Sequence, residues 1–458
     1  MLFNSYVFLL GFLPAAFLIY WFADKSDTWR TRVLIVLSLI FYGYWDVRFV
    51  PLLIGSILVN WYGAKLYAAS KSSALITCMI VLDLAVLGVF KYFNFFAANL
   101  HAVFGVPLVR AHWALPLGIS FFTFHHIMYL VDLRRGRAST YPLDKYALYI
   151  CFFPQAIAGP IARWSEVMEQ FGKRAFQPGW QQRCALGVTF VVLGLLQKIM
   201  LGDPLARIIY PVYQHAATGP LPAGQGWLAL AFGFQVLFDF AGYSDIAIGL
   251  GLMFGIVLPR NFDGPFRATS IVDLWQRWHM TLARFLRDYV FTPLSRVRIG
   301  GGRHRMTRAL VAIMLTMALC GLWHGAGWTY VLWGTLQGVG IVFAAAWSRN
   351  LPSPPAIVGW AATLAFFLVT CVMFRAPTLE ATLRIYHSIA TGLPADTNGF
   401  RTIAIAAFCA VVLPPSHVIA ARLTDRANYY VAASLAAATV VVLLEISRFE
   451  YEFIYFQF

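Results

Sequence analysis

Apolar runs long enough to cross a bilayer recur along almost the whole chain, separated by short polar connections, and no other feature restricts the fold so tightly. Thr307 to Trp323 carries a single ionised side chain, Arg308, and Tyr429 to Ile446 is apolar nearly throughout. A crossing takes about 20 residues as a helix, because backbone N–H and C=O groups in hydrocarbon must be satisfied within the segment. The 458-residue chain is 60% hydrophobic and 12% charged, with a mean hydropathy of +0.68, so it is read as an integral membrane protein. Its length leaves room for about ten to twelve helices. No polar stretch of soluble-domain length interrupts it, and residues 1–458 are expected to form one polytopic, all-α domain.

The formal charge of +15 does not point to nucleic acid. The basic residues lie in short loops beside apolar spans, the pattern that marks the cytoplasmic side of a membrane protein. Six cysteines without a CxxC pair read as small buried residues, so neither a disulfide framework nor a zinc site is expected. No basic residue precedes the first apolar run as in a secretory signal, and the run is expected to remain as the first helix.

Polarity concentrates between Phe238 and Trp328, where ten arginines fall between Arg260 and Arg308 and two histidines stand out. Laid on a helical wheel at about 100° per residue, Leu274 to Tyr289 reads as one amphipathic helix. Leu274, Trp275, Trp278, Leu282, Phe285, Leu286 and Tyr289 share an arc, the arginines lie opposite, and His279 falls at the margin. The arginine face would meet lipid phosphates, water or an anionic ligand. His324 instead ends a membrane-depth run and is flanked by Gly321, Gly325 and Gly327, whose missing side chains allow close approach of a backbone or a substrate. A neutral imidazole costs little to bury beside a fixed charge and exchanges a proton near neutral pH, which suits a general base. On chemistry alone, a hydrogen-bonded packing role for His324 and an interfacial role for His279 stand beside that reading.

Elsewhere Trp227 to Val257 holds Asp239, Tyr243, Ser244 and Asp245, and intramembrane carboxylates should face inward to a partner: an arginine of the central block or an imidazole. Pro154, Gly159 and Pro160 should break any helix through Tyr146 to Ile161, and that stretch is expected to line the active-site cavity. Arg163 to Arg183 reads as a helix lying in the interface, and the Pro-, Gly- and Ala-rich stretch before Gly226 as a loop.

Six stretches, PLGISFFTFHHIMYLVDLRRG, FFPQAIAGPI, FAGYSDIAIGLGLMFGI, LPRNFDGPFRATSIVDLWQRWHMTLARFLRDYVFTPL, GLWHGAGWTYVLWG and the terminal FIYFQF, resemble the membrane-bound O-acyltransferase superfamily in order and spacing. The resemblance is closest to its bacterial branch of alginate O-acetyltransferases and D-alanyl-lipoteichoic acid proteins. It implies interfacial and re-entrant helices around a central funnel, with residues 238–328 as the catalytic block. The catalytic histidine of the WHG block falls on His324, and the second functional histidine on His279. His125 and His126 stand where the pattern favours glutamine or another small polar residue; they read either as polar groups satisfied within the bundle or as residues that shape the tunnel. The implied activity is O-acylation of an exported bacterial polysaccharide such as alginate, by a multi-pass inner-membrane enzyme working with periplasmic acetyltransferase partners among membrane lipid. The donor would be acetyl-CoA, its phosphates held by Arg260, Arg267, Arg277 and Arg284, with no metal or prosthetic group. Acyl or D-alanyl transfer to a lipid or envelope polymer, and a non-enzymatic export subunit, are the alternatives.

Overall fold

The computed structural model describes residues 1–107, 110–297, 305–393, 399–446 and 453–454. The arginine- and glycine-rich turn at 298–304, and all of the terminal FIYFQF except Phe453 and Ile454, lie outside the described residues. Among these residues every regular element is a helix. Among the described residues eight helices are long and apolar enough to cross a membrane, and a ninth crossing results if the bent pair Phe400–Val411 and Ser416–Asp425, at 70°, is one span. Val7–Ala23, Asp27–Gly43 and Ile119–Arg134 are helical but shorter. The chain is an all-α, multi-pass membrane protein.

Two local expectations are corrected. The stretch before Gly226 is mostly helix, because Asp203–Thr218 continues the preceding span. Pro204 sits in the first turn of that segment, where an absent N–H does least harm. Arg163 to Arg183 is not one helix but the short turns Trp164–Val167 and Gln170–Gly172, then the start of Trp180–Leu196. The break after Tyr146 is found where Pro154 and Gly159 place it: Leu143–Cys151 stops at Phe152, and only Phe153–Ala156 follows as a short helix.

Contacts gather into two compact units. The first comprises Met1–Val192, Tyr243–Pro259 and Ala420–Leu435. Phe153 is central to it, its ring 5.4 Å from Phe41, 5.6 Å from Phe12 and 5.5 Å from Phe254. Asp24, buried in this unit, accepts the backbone N–H groups of Ala175 (2.9 Å) and Phe176 (3.2 Å) and lies 3.4 Å from Arg30. Hydrogen bonds to the ionised form are what make a buried carboxylate tolerable. His125 and His126 are fully buried in this unit. His126 Nδ1 is 2.7 Å from the Tyr146 hydroxyl and its Nε2 3.3 Å from that of Ser56.

The second unit comprises Leu193–Gly242, Arg260–Ile419 and Ala436–Phe458 and contains both histidines of the central block. Its tightest packing joins Met306–His324 to Trp328–Asn350. A Cβ on Gly321 would lie 2.1 Å from the Tyr330 carbonyl oxygen, and one on Gly334 2.1 Å from that of Met317. Only glycine lets two helices approach this closely. Asp239 finds a partner the sequence reading had not named. Lys198 Nζ bonds Asp239 Oδ1 and lies 2.8 Å from Asp203 Oδ1, all three residues being buried. The second Asp239 oxygen accepts the Ile454 N–H at 2.8 Å, and the ammonium lies 4.6 Å from the Phe453 ring centre.

Candidate functional site

Leu274 to Tyr289 is not the continuous amphipathic helix that its periodicity predicts. Ile271–Arg277 ends at Trp278, whose backbone is extended, and Met280–Phe285 begins only after His279, which adopts a left-handed conformation with φ 42° and ψ 53°. Histidine enters that region more readily than most residues, but it still costs about 1–3 kcal/mol. The break takes His279 off the helical margin and buries it completely.

Neighbouring backbone and amide groups hold the turn. Met280 N–H donates to the Asn261 carbonyl oxygen (2.9 Å), and Asp263 N–H donates to that of Arg277 (3.0 Å). The Asn261 side-chain oxygen lies 2.9 Å from His279 Nδ1 and 2.9 Å from the Thr281 hydroxyl, and accepts the Thr281 N–H at 3.3 Å. The Phe240 ring stands edge-on to the imidazole at 4.6 Å. Burial pulls the imidazole pKa down to about 3, so the ring is neutral.

His324 is the last residue of its helix and only 4% exposed. Gly325 follows, where a Cβ would strike the Tyr330 ring at 2.2 Å, so the turn into Trp328–Asn350 closes only with glycine there. The imidazole sits in an aromatic box, its ring centre 4.6 Å from Trp323, 5.4 Å from Trp333 and 5.0 Å from Phe374. A cavity of about 10 Å³ lies beside it, lined also by Phe232, Trp278 and Cys371. That is roughly the room of one water molecule. Trp323 joins the two histidines: its ring is 6.1 Å from His279 as well as 4.6 Å from His324. The structure thus brings together two imidazoles that are 45 positions apart in sequence.

The four arginines have separate surroundings. Arg260 is exposed and Arg284 half-buried on Met280–Phe285. Arg277 pairs with Asp273 one turn earlier, at 2.7 Å. Arg267 reaches the carbonyl oxygens at the end of Phe400–Val411, bonding Val411 (2.9 Å), Val412 (2.6 Å) and Leu413, where helix carbonyls lack intrahelical donors. Sequence reasoning passed over Asn261 and Lys198. Lys198 had a signal, a cation inside the Cys184 to Leu201 run that needs a counter-charge. Asn261 had almost none, being an uncharged amide between Arg260 and Phe262.

Known proteins resemble this chain over most of its length. The chain is 35% identical over 423 residues to a peptidoglycan O-acetyltransferase of Helicobacter pylori, covering 84% of this chain and 79% of that one. It is 36% identical over 403 residues to a probable alginate O-acetylase of Pseudomonas aeruginosa, covering 85% and 75%. A teichoic acid D-alanyltransferase of Streptococcus thermophilus is 30% identical over 239 residues, covering 51% and 58%. The profile of the MBOAT, membrane-bound O-acyltransferase, family matches residues 17–383, a stretch that contains both imidazoles, their shared indole and the glycines that set them. The chain belongs to the membrane-bound O-acyltransferase family and is an O-acyltransferase.

Proposed function

We propose that this enzyme moves an acetyl group from cytoplasmic acetyl-CoA to a hydroxyl on the route to O-acetylation of an exported polysaccharide, working in the bacterial inner membrane with periplasmic acetyltransferase partners. One observation carries the reading: both imidazoles contact Trp323, with a cavity at His324. His324 acts as general base on the acceptor hydroxyl, whose oxygen attacks the thioester carbonyl; the tetrahedral intermediate collapses and the thiolate leaves with the proton. His279 positions a substrate or stabilises the charge that forms. CoA phosphates cannot enter hydrocarbon and stay among the arginines, with Arg260, Arg277 and Arg284 as contacts and Arg267 holding the adjoining backbone as well as adding positive charge. Relatives named for O-acetylation match more than four-fifths of the chain, against about half for the named D-alanyltransferase, which favours acetyl over D-alanyl transfer. The acceptor class rests on the names of those relatives, among them alginate.

A positioned base contributes about 10²- to 10⁴-fold. Membrane vesicles given labelled acetyl-CoA should incorporate label into envelope polymer, and His324→Ala should lower the rate by that factor at equal protein level. A folded His324→Ala protein with near-normal transfer would remove the proposal.

A further inference from the structure

We propose that Asn261 holds His279 as its Nδ1–H tautomer, so that the Nε2 lone pair accepts a hydrogen bond from a substrate O–H or N–H other than the proton His324 removes, and the ring offers no donor to the thioester oxygen. This rests on the reading of His279 as a site residue and chooses between the two roles left to it above.

The argument turns on which atom of the Asn261 amide faces the ring. Thr281 N–H points at that atom from 3.3 Å, and a backbone N–H can only donate, so the atom is the amide oxygen. The same oxygen lies 2.9 Å from His279 Nδ1. An amide oxygen only accepts, and Nδ1 must therefore carry the proton. A neutral imidazole has one donor and one acceptor nitrogen, so Nε2 holds its lone pair. The opposite tautomer would set lone pair against lone pair in a buried site, a disfavour of roughly tenfold or more. The imidazolium, which would donate from both nitrogens, is opposed by complete burial. Thr281 keeps the amide from flipping through its N–H, which can only donate, and its hydroxyl, at 2.9 Å, adds a second bond to the same oxygen.

A thioester carbonyl offers only an acceptor, whereas an alcohol offers an O–H. The reacting O–H belongs to His324, so a ring fixed in this state suits a second hydroxyl of the acceptor and positions it beside the reacting one. Asn261 is a positioning residue: it sets which nitrogen of His279 can bond substrate, as second partners of ligating histidines do elsewhere.

The test is nitrogen-15 solid-state NMR on histidine-labelled full-length protein in lipid, with the His279 signals assigned by their loss in His279→Gln, alongside acetyl transfer in vesicles. Wild type should show a protonated Nδ1 and a bare Nε2 at His279. Asn261→Ala should lose that preference and fall about tenfold or more in transfer. Asn261→Asp, which keeps the accepting oxygen, should retain a protonated Nδ1 and transfer faster than Asn261→Ala. A wild-type His279 protonated at Nε2, or Asn261→Ala transferring at the wild-type rate, overturns the inference. Should Asn261→Ala not fold, the wild-type and Asn261→Asp spectra decide. If His279→Gln transfers normally, the site reading itself fails; if it is inactive while wild-type His279 carries its proton on Nε2, only the tautomer assignment fails.

Discussion

At the scale of single residues, burial decides the charge of His279. His279 is neutral in the folded protein because desolvation takes its pKa from the ordinary 6.5 to about 3, whereas the unfolded chain binds a proton there as pH falls below about 6.5. The stabilising effect of its neutrality is complete above that value and is lost progressively as pH drops towards 3. Detergent-solubilised protein should therefore melt at a lower temperature near pH 5 than near pH 7.5, and His279→Gln should narrow the gap; an equal gap in the variant would contradict the assignment. Thr281→Val removes one donor from the Asn261 oxygen without changing side-chain shape, and should cost about 1 kcal/mol in the same melt. Neither effect could be read from the local pattern. Residues 274–289 have convincing helical periodicity, and the left-handed turn that breaks it is held by Asn261, 18 positions from His279.

At the scale of elements, the helical pair around His324 depends on glycines that no side chain can replace. Gly321→Ala places a methyl 2.1 Å from the Tyr330 carbonyl oxygen, forcing the backbones apart three residues before His324. It should cost about 1–3 kcal/mol in thermal unfolding and lower acyl transfer as well. Gly55→Ala, which meets open space in Val47–Ser70, is the control and should be neutral or slightly stabilising. Lys198 ties two carboxylates together. Lys198→Met leaves Asp203 and Asp239 buried without their cation and should destabilise by about 3–5 kcal/mol, while an unchanged melting temperature would show that the charges are not what hold these helices. The need for an inward partner to Asp239 was legible in the sequence. That the partner would be Lys198, with the Ile454 backbone on the second oxygen, was not, since 215 positions separate Ile454 from Asp239.

At the scale of the whole molecule, the eight long apolar helices among the described residues require a lipid environment for the folded chain. Alkaline carbonate, which strips peripheral proteins, should leave it in the membrane pellet, and only detergent should release it. Recovery in the carbonate supernatant would contradict the multi-pass assignment. The large apolar side chains on the exterior, such as Phe22, Val103, Phe343 and Leu444, are what such a surface requires.

Hydropathy and motif order alone determined that the chain is helical, crosses a membrane many times and carries the O-acyltransferase pattern. Those properties follow from local composition and from short stretches whose chemistry is complete in themselves. Tertiary structure alone decided that His279 leaves its helix for the interior, that an amide oxygen rather than a carboxylate faces its Nδ1, and that Trp323 touches both imidazoles. Burial, hydrogen-bond partner and ring contact depend on groups far apart in the chain, and no period or spacing along the sequence encodes which distant residues will meet.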